Sequence, residues 1–180
     1  CVSPMIKILH DAYRVKTAFF ITSHAYTSTQ RLIDGADRKD LRRGRAAAAD
    51  IVPSTSGASI SVAESIPELK GRIDGYALRV PVVDGSISSV IAQVEYPPAS
   101  AKDVNILFKK KSQGDYRDIL QYTEDPIVSS DIIHNPSSCI IDSGLTSMNS
   151  NLISIAGWYD NEWGYSNRLV DVARSILSKK

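Results

Sequence analysis

The chain has 180 residues, which is the length of one ordinary domain with a substantial buried core. Its residues are 43% hydrophobic and 23% charged and its formal net charge is +1, so composition indicates a globular protein and gives no reason to expect a nucleic acid or a membrane as partner. The two cysteines, Cys1 and Cys139, lack metal-ligand spacing, and we therefore expect no metal and a reducing, cytoplasmic setting.

The first predicted element is a helix over residues 4–13. Apolar residues recur there at helical spacing, and Pro4 suits a first turn. Cys1 would then lie at the helix N-terminus, where the helix dipole lowers the pKa of a thiol. By this reasoning Cys1 is either a nucleophile or a packing residue.

A strand is predicted over residues 15–22, a run rich in β-branched and aromatic residues, and His24 follows at its end. A side chain at the point where a strand gives way to a loop is held by the sheet yet open to a ligand. Histidine titrates near neutral pH and therefore suits proton transfer or activation of a nucleophile. The alternative is a histidine that only hydrogen-bonds at the strand end.

Residues 27–52 carry few helix or strand signals and include five basic residues between Arg38 and Arg45. Loops of this length in compact domains are usually functional or interfacial, and the alternative is a solvated basic loop. The turn that follows, at Ser56 and Gly57, offers a hydroxyl and backbone N–H groups that can hold a phosphate oxygen. An ordinary turn is the alternative there.

A short helix interrupted by Pro67 is predicted over residues 59–69, followed by two strands over 72–81 and 86–95 that are joined by a turn. Arg79 lies within the first of these strands. An arginine among apolar neighbours needs an anionic partner, which is either an internal carboxylate or a bound phosphate.

The second half of the chain predicts a helix over 101–113, a short helical turn over 115–120 and strands over 127–133, 138–144 and 151–159. A final helix over 162–179 should bury the face formed by Trp163, Leu169, Val170, Ala173, Ile176 and Leu177. Because the strands come largely in succession, the predicted fold class is α+β, with a mainly antiparallel mixed β-sheet and helices packed on one face. Residues 1–180 should form one domain.

Five motifs taken together resemble one protein family. They are HAYT at 24–27, RRGRAA at 42–47, PSTSG at 53–57, LRVP at 78–81 and WYDNEWGYSNR at 158–168. In this order and spacing they resemble the C-terminal, catalytic domain of phosphorylating glyceraldehyde-3-phosphate dehydrogenases, across nearly the whole chain. The resemblance implies the fold of that domain.

In that family a nucleotide-binding Rossmann domain precedes this domain, and the chain contains no G-x-G-x-x-G fingerprint. We therefore expect the NAD-binding domain to be absent from these 180 residues. Cys1 matches the second cysteine of the family's active-site motif, which would place the nucleophilic cysteine upstream of it. The resemblance thus implies a packing role for Cys1 and no activity for the 180-residue chain alone.

The resemblance implies oxidation of glyceraldehyde 3-phosphate to 1,3-bisphosphoglycerate in glycolysis, with NAD as cofactor and inorganic phosphate as second substrate. His24 matches the residue that activates the nucleophilic thiol and assists proton transfer. Thr27 and Arg79 match the site for the substrate's own phosphate.

Ser56 and Gly57 match the site for the attacking inorganic phosphate, and Arg43 matches a residue close to both phosphates. Asn161 matches the residue that holds the nicotinamide carboxamide, and Tyr165 matches one that packs near that ring. NADP is the alternative cofactor, because the residue that reads the ribose would belong to the Rossmann domain.

The basic loop resembles a family segment that packs against a neighbouring subunit, so we expect a homo-oligomer, which would be a tetramer for the full-length protein. Two other functions are considered. One is an erythrose-4-phosphate dehydrogenase, although the intact HAYT and WYDNEWGYSNR motifs favour the triose enzyme. The other is a non-catalytic module that has kept only the fold and its subunit contacts.

Overall fold

The centre of the computed structural model, which describes residues 1–178, is a seven-stranded sheet in the order β2-β3-β1-β4-β7-β6-β5. The strands are β1 (Val15–Ala25), β2 (Val52–Thr55), β3 (Ile73–Val80), β4 (Ser86–Val94), β5 (Leu120–Thr123), β6 (Cys139–Asn149) and β7 (Leu152–Tyr159). Neighbouring strands run antiparallel except in the pairs β1–β3 and β5–β6. The predicted fold class, a mainly antiparallel mixed sheet in an α+β domain, is confirmed.

The helices are α1 (Val2–Tyr13), α2 (Ala58–Ser65), α3 (Ala101–Gln113) and α4 (Trp163–Leu177). The first three pack over one face of this sheet, whereas α4 contributes no residue to the hydrophobic core. Met5 and Leu9 of α1 and Phe108 of α3 are fully buried in the core between helices and sheet, whereas Phe19 and Ile91 on the opposite face remain exposed. Among residues 1–178, none of the helices is long and apolar enough to cross a membrane.

The strand that carries His24 is longer than predicted. β1 continues through His24 to Ala25, so the histidine lies within the last residues of the strand and pairs with Arg79 of β3. The predicted strands over 72–81 and 86–95 exist as β3 and β4, but they do not pair with each other, because β1 lies between them. β3 runs parallel to β1, which requires a crossover connection, and the long loop together with α2 supplies it.

Two predictions in the second half of the chain are wrong. Residues 127–133 form no strand but a 3-10 helix at Ser129–Ile132, whose first turn is held by a bond from the Val128 backbone N–H to Asp131 Oδ2 at 2.7 Å. Residues 115–120 form hydrogen-bonded turns rather than a turn of helix, and the strand of this region is β5. A carboxylate that bonds to nearby backbone competes with strand pairing, which explains the first error.

The last helix forms as predicted, but its expected buried face is not buried. Leu169, Ile176 and the other apolar side chains of α4 remain exposed, because no other element of residues 1–178 packs over them. The predicted end of this helix at Lys179 lies outside the described residues. The amphipathic pattern of α4 therefore predicts an apolar face but does not predict which element packs against that face.

Candidate functional site

The ends of β1 and β3 bring the histidine and the arginine together. His24 and Arg79 are register partners in this parallel pair, so their side chains leave the same face of the sheet next to each other. Both line a cavity of about 340 Å³, together with Ser56 and Gly57 from the turn between β2 and α2. Four of the residues singled out in the sequence therefore meet at one cavity.

His24 is arranged to act as a base. Its Nδ1 lies 2.6 Å from the backbone oxygen of Ala25, and since a carbonyl can only accept, Nδ1 carries the proton and Nε2 has the free lone pair. Burial lowers the pKa of His24 below its ordinary value; the bond to Ala25 opposes this shift and the charge of Arg79 adds to it. The imidazole is therefore neutral at pH 7 and able to take up a proton at Nε2.

Arg79 has an unsatisfied donor at the same cavity. Its Nε donates to Ser54 Oγ at 3.2 Å, whereas Nη1 is buried and has no hydrogen-bond partner in the described part of the chain. None of the ion pairs among residues 1–178 involves Arg79, so an internal carboxylate is not its partner. Burial lowers the pKa of this guanidinium, and an anion at the cavity would relieve that cost.

Ser56 and Gly57 lie where β2 ends and α2 begins. Ser56 Oγ accepts a bond from the Ala58 backbone N–H at 3.3 Å, which leaves its own hydrogen free to donate. The first N–H groups of a helix have no partner within the helix and carry partial positive charge. The turn therefore offers donors to the cavity that His24 also lines.

Thr27 and Arg43 do not line this cavity. The Thr27 hydroxyl contacts Gln30 Oε1 at 3.0 Å and Thr29 Oγ1 at 2.9 Å, within its own loop. Arg43 Nε lies 3.6 Å from Asp40 Oδ2, although the charge of Arg43 still contributes to lowering the pKa of Arg79. The structure thus brings Arg43 electrostatically close to the site without a direct contact.

A second cavity, of about 310 Å³, holds the other two predicted site residues. It is lined by Asn161 and Tyr165, and it shares Cys1 and Tyr159 with the first cavity. The two cavities therefore adjoin, and both are lined by Tyr159, whose side chain carries a phenol ring. That ring packs edge-on to the His24 ring, with the two centroids 6.0 Å apart.

Asp160 fixes the chain at this second cavity. Its side chain is 2% exposed and accepts three backbone N–H bonds, from Glu162 and Trp163 at the start of α4 and from His134. Burial acts to raise the pKa of Asp160, but these three bonds outweigh it and lower the pKa. The carboxylate therefore stays charged and ties the backbone at the start of α4 to that of His134.

The sequence reasoning missed a group of buried hydroxyls beneath the cavities. Thr22 Oγ1 and Ser88 Oγ are 2.8 Å apart, and Ser86 Oγ donates to Asn161 Oδ1 at 2.9 Å. A signal existed: Ser86 and Ser88 are two residues apart in the same strand, so they share one face of β4. That spacing predicts a polar strip on the face that lines the site.

The two thiols have packing positions. Cys1 Sγ lies 3.8 Å from Met5 Sδ and 3.5 Å from the backbone oxygen of Gly157. Burial raises the pKa of Cys139 to about 12, so this thiol is protonated at neutral pH and unreactive. A Cβ added at Gly157 would lie 2.5 Å from Cys139 Sγ, so this close approach of sulfur to backbone requires glycine.

The fold and the cavities define a class: an α+β domain that joins a neutral histidine, an unpaired buried arginine nitrogen and turn hydroxyls in a site suited to an anionic ligand. Comparison with known proteins narrows this class. The model of the family described as "Glyceraldehyde 3-phosphate dehydrogenase, C-terminal domain" matches residues 1–161. The chain belongs to this family.

Individual relatives agree with that assignment. A glyceraldehyde-3-phosphate dehydrogenase of Mycobacterium avium is 49% identical over 176 residues, which cover 98% of this chain and 51% of that protein. Glyceraldehyde-3-phosphate dehydrogenase 2 of Streptomyces avermitilis is 49% identical over 173 residues, covering 96% and 51%. The corresponding protein of Mycolicibacterium smegmatis is 46% identical over 176 residues. The chain spans about half the length of the curated relatives it matches.

Proposed function

We propose that this chain is the catalytic domain of a phosphorylating glyceraldehyde-3-phosphate dehydrogenase, which oxidises glyceraldehyde 3-phosphate to 1,3-bisphosphoglycerate in cytoplasmic glycolysis. The observation that carries the proposal is the shared cavity in which the neutral His24 and the buried, unpaired Nη1 of Arg79 lie side by side. One side chain suits proton transfer and the other suits a phosphate, and the reaction needs both.

The substrate's own phosphate binds to Arg79 in this proposal. Nη1 donates a charge-assisted bond to a phosphate oxygen, and the Thr27 hydroxyl becomes a second donor by exchanging its loop partner for the ligand. The attacking inorganic phosphate binds at Ser56 and Gly57, and the charge of Arg43 attracts both anions.

His24 moves the proton. With Nδ1 held by the Ala25 carbonyl, Nε2 accepts the proton of the thiol that the family motif positions upstream of Cys1, and this produces the attacking thiolate. The protonated ring then lies beside the substrate's carbonyl oxygen and stabilises negative charge there. The lowered pKa of His24 favours release of this proton at the end of the cycle.

The second cavity fits the nicotinamide end of NAD. The nicotinamide ring needs a polar group that hydrogen-bonds its carboxamide and an apolar or aromatic side chain that packs against the ring. Asn161 supplies the polar group and Tyr165 the aromatic side chain. NAD, when bound, accepts a hydride from the substrate. NADP remains the alternative, because both cofactors share the nicotinamide that this domain would contact.

A nucleotide-binding domain and further subunits complete the proposed protein. The exposed apolar face of α4 supports a domain contact, and the relatives are about twice as long as this chain. The exposed Phe19, Tyr76 and Ile91 on the uncovered face of the sheet support a homo-oligomer, which we propose to be a tetramer.

The test is a rate measurement on the full-length protein. NAD reduction should require both glyceraldehyde 3-phosphate and inorganic phosphate, and kcat/KM should be lower for erythrose 4-phosphate. A preference for the tetrose substrate would identify the erythrose-4-phosphate dehydrogenase instead. Absence of turnover with either substrate would favour the non-catalytic module.

A further inference from the structure

Ser86 connects the two halves of the site. It is the first residue of β4, it is 1% exposed, and its register partner in β7 is Tyr159. Its Oγ accepts a bond from the backbone N–H of Ala25 at 3.3 Å and contacts Asn161 Oδ1 at 2.9 Å. One buried hydroxyl therefore links the strand end that carries His24 to the amide of the second cavity.

Ser86 Oγ accepts one of these two bonds and donates the other. The backbone N–H of Ala25 can only donate, so Ser86 Oγ accepts from it. The single hydrogen of Ser86 is then available for Asn161, and Asn161 Oδ1 accepts it at 2.9 Å. Turning the amide over would place Nδ2 as a donor to the second lone pair of Ser86 Oγ, and the Ser86 hydrogen would then lose its acceptor at Asn161.

The consequence concerns what Asn161 presents to a ligand. With Oδ1 bound to Ser86, Nδ2 is the group left for the cavity, and Nδ2 makes no hydrogen bond to another residue in the part of the chain that the structure describes. Asn161 is therefore held as a donor. A ligand carbonyl oxygen fits that donor, whereas a ligand amide NH₂ does not.

We infer that Ser86 is a positioning residue that fixes the orientation of the Asn161 amide, so that Asn161 Nδ2 donates to the carbonyl oxygen of the nicotinamide carboxamide. This inference rests on the proposed function, since it takes NAD as the ligand of the second cavity. It assigns a role to a residue that touches neither the substrate nor the cofactor, and acts through Asn161 only.

The backbone around Ser86 is built to hold it there. Gly85 has φ +86°, a conformation that favours glycine, and a Cβ at that position would lie 2.5 Å from the backbone oxygen of Ser129. The Asp84 carboxylate accepts the Gly85 N–H at 2.7 Å and closes the turn. Ser86 therefore enters β4 at a fixed point.

The first experiment measures NAD affinity by calorimetry in the full-length protein and its variants. Ser86→Ala should weaken NAD binding roughly threefold to tenfold, the range expected for the loss of one net hydrogen bond. The matched control is Ser88→Ala, which removes an equally buried hydroxyl from the same face of β4, bonded to Thr22 instead. The control should keep NAD affinity within about twofold of wild type, because it does not touch Asn161.

A double-mutant cycle separates positioning from general damage. Asn161→Ala alone should weaken NAD binding by roughly tenfold, and adding Ser86→Ala to it should change affinity by less than about twofold, because Ser86 acts only through the amide. If Ser86→Ala binds NAD like wild type while Asn161→Ala does not, the inference is overturned and the proposed function stands. If wild type binds no NAD, or Asn161→Ala binds it as tightly as wild type, both fail.

A cofactor analogue tests the amide orientation without any change at Ser86. In 3-acetylpyridine adenine dinucleotide the carbonyl oxygen is kept and the NH₂ group is replaced by methyl. Since Asn161 is expected to contact the carbonyl, Asn161→Ala should weaken binding of this analogue by the same factor as binding of NAD. An analogue that binds wild type and Asn161→Ala equally well would show that Asn161 presents its oxygen, and the inference would be wrong.

Discussion

Removing the guanidinium of Arg79 is the sharpest perturbation of the proposed phosphate site. Arg79→Ala deletes the buried Nη1 that has no hydrogen-bond partner among the described residues. A hydrogen bond to a charged group contributes about 1.5–3 kcal/mol. Lost from substrate binding, this corresponds to a KM for glyceraldehyde 3-phosphate that is roughly 10- to 100-fold higher.

Two further variants make this experiment specific. Arg79→Lys keeps the charge but loses the planar fork, so its KM should lie between those of wild type and Arg79→Ala. Arg72→Ala removes a positive charge from an exposed position just before β3 and should leave KM unchanged. A rise in KM with Arg72→Ala of similar size would indicate a general charge effect instead of a contact.

The assay is steady-state kinetics of the full-length protein, with the NAD dissociation constant measured in parallel. We expect NAD affinity to stay close to wild type, because Arg79 lines only the first cavity. Urea unfolding of each variant reports the separate cost of losing the Ser54 contact. An unchanged KM for the phosphorylated substrate in a folded Arg79→Ala protein would refute the phosphate-site reasoning.

Three further predictions concern stability and reactivity. Gly157→Ala should lower the free energy of unfolding by about 1–3 kcal/mol, because its Cβ would lie 2.5 Å from Cys139 Sγ, and adding Cys139→Ala should recover part of that loss. An unchanged free energy of unfolding in Gly157→Ala would contradict this close contact between Gly157 and Cys139. Burial lowers the folded-state pKa of His24 below 6.5, so as pH falls the unfolded state binds a proton before the folded state does, and the free energy of unfolding measured with urea should decrease below about pH 6.5. The free energy of unfolding of His24→Gln should decrease less steeply with falling pH, and equal slopes would be the contrary result. The 180-residue chain assayed alone should not oxidise glyceraldehyde 3-phosphate, because Cys1 packs against Gly157 and Cys139 is protonated; measurable NAD- and phosphate-dependent turnover would count against this.

The sequence predicts those parts of the site that depend on residues close together in the chain, and it does not predict those that depend on distant segments. His24 could be identified from a β-branched run that ends in a histidine, and α3 was predicted at its observed bounds, because both signals lie within one segment. The pairing of His24 with Arg79 could not be predicted from pattern, because it depends on β3 entering the sheet beside β1 and parallel to it. Strand order is a property of the whole chain, and hydrophobic periodicity does not encode it.

The errors have similar physical causes. The run at 127–133 has the composition of a strand, but the Asp131 carboxylate bonds to the Val128 backbone and folds the segment into a 3-10 helix. The apolar face of α4 was expected to be buried because amphipathic helices bury one face, yet no element of residues 1–178 packs over it. Ser86 escaped notice because the two-residue spacing of Ser86 and Ser88 indicates a shared strand face but does not show that this face meets Asn161.

A crystal structure of the full-length protein with glyceraldehyde 3-phosphate tests the central claim most directly, which is that His24 and Arg79 form one substrate site. We predict the phosphate within about 3 Å of Arg79 Nη1 and the reacting carbonyl on the Nε2 side of His24. Substrate bound at another cavity, or bound in this one with Arg79 Nη1 still unpaired, would contradict the account.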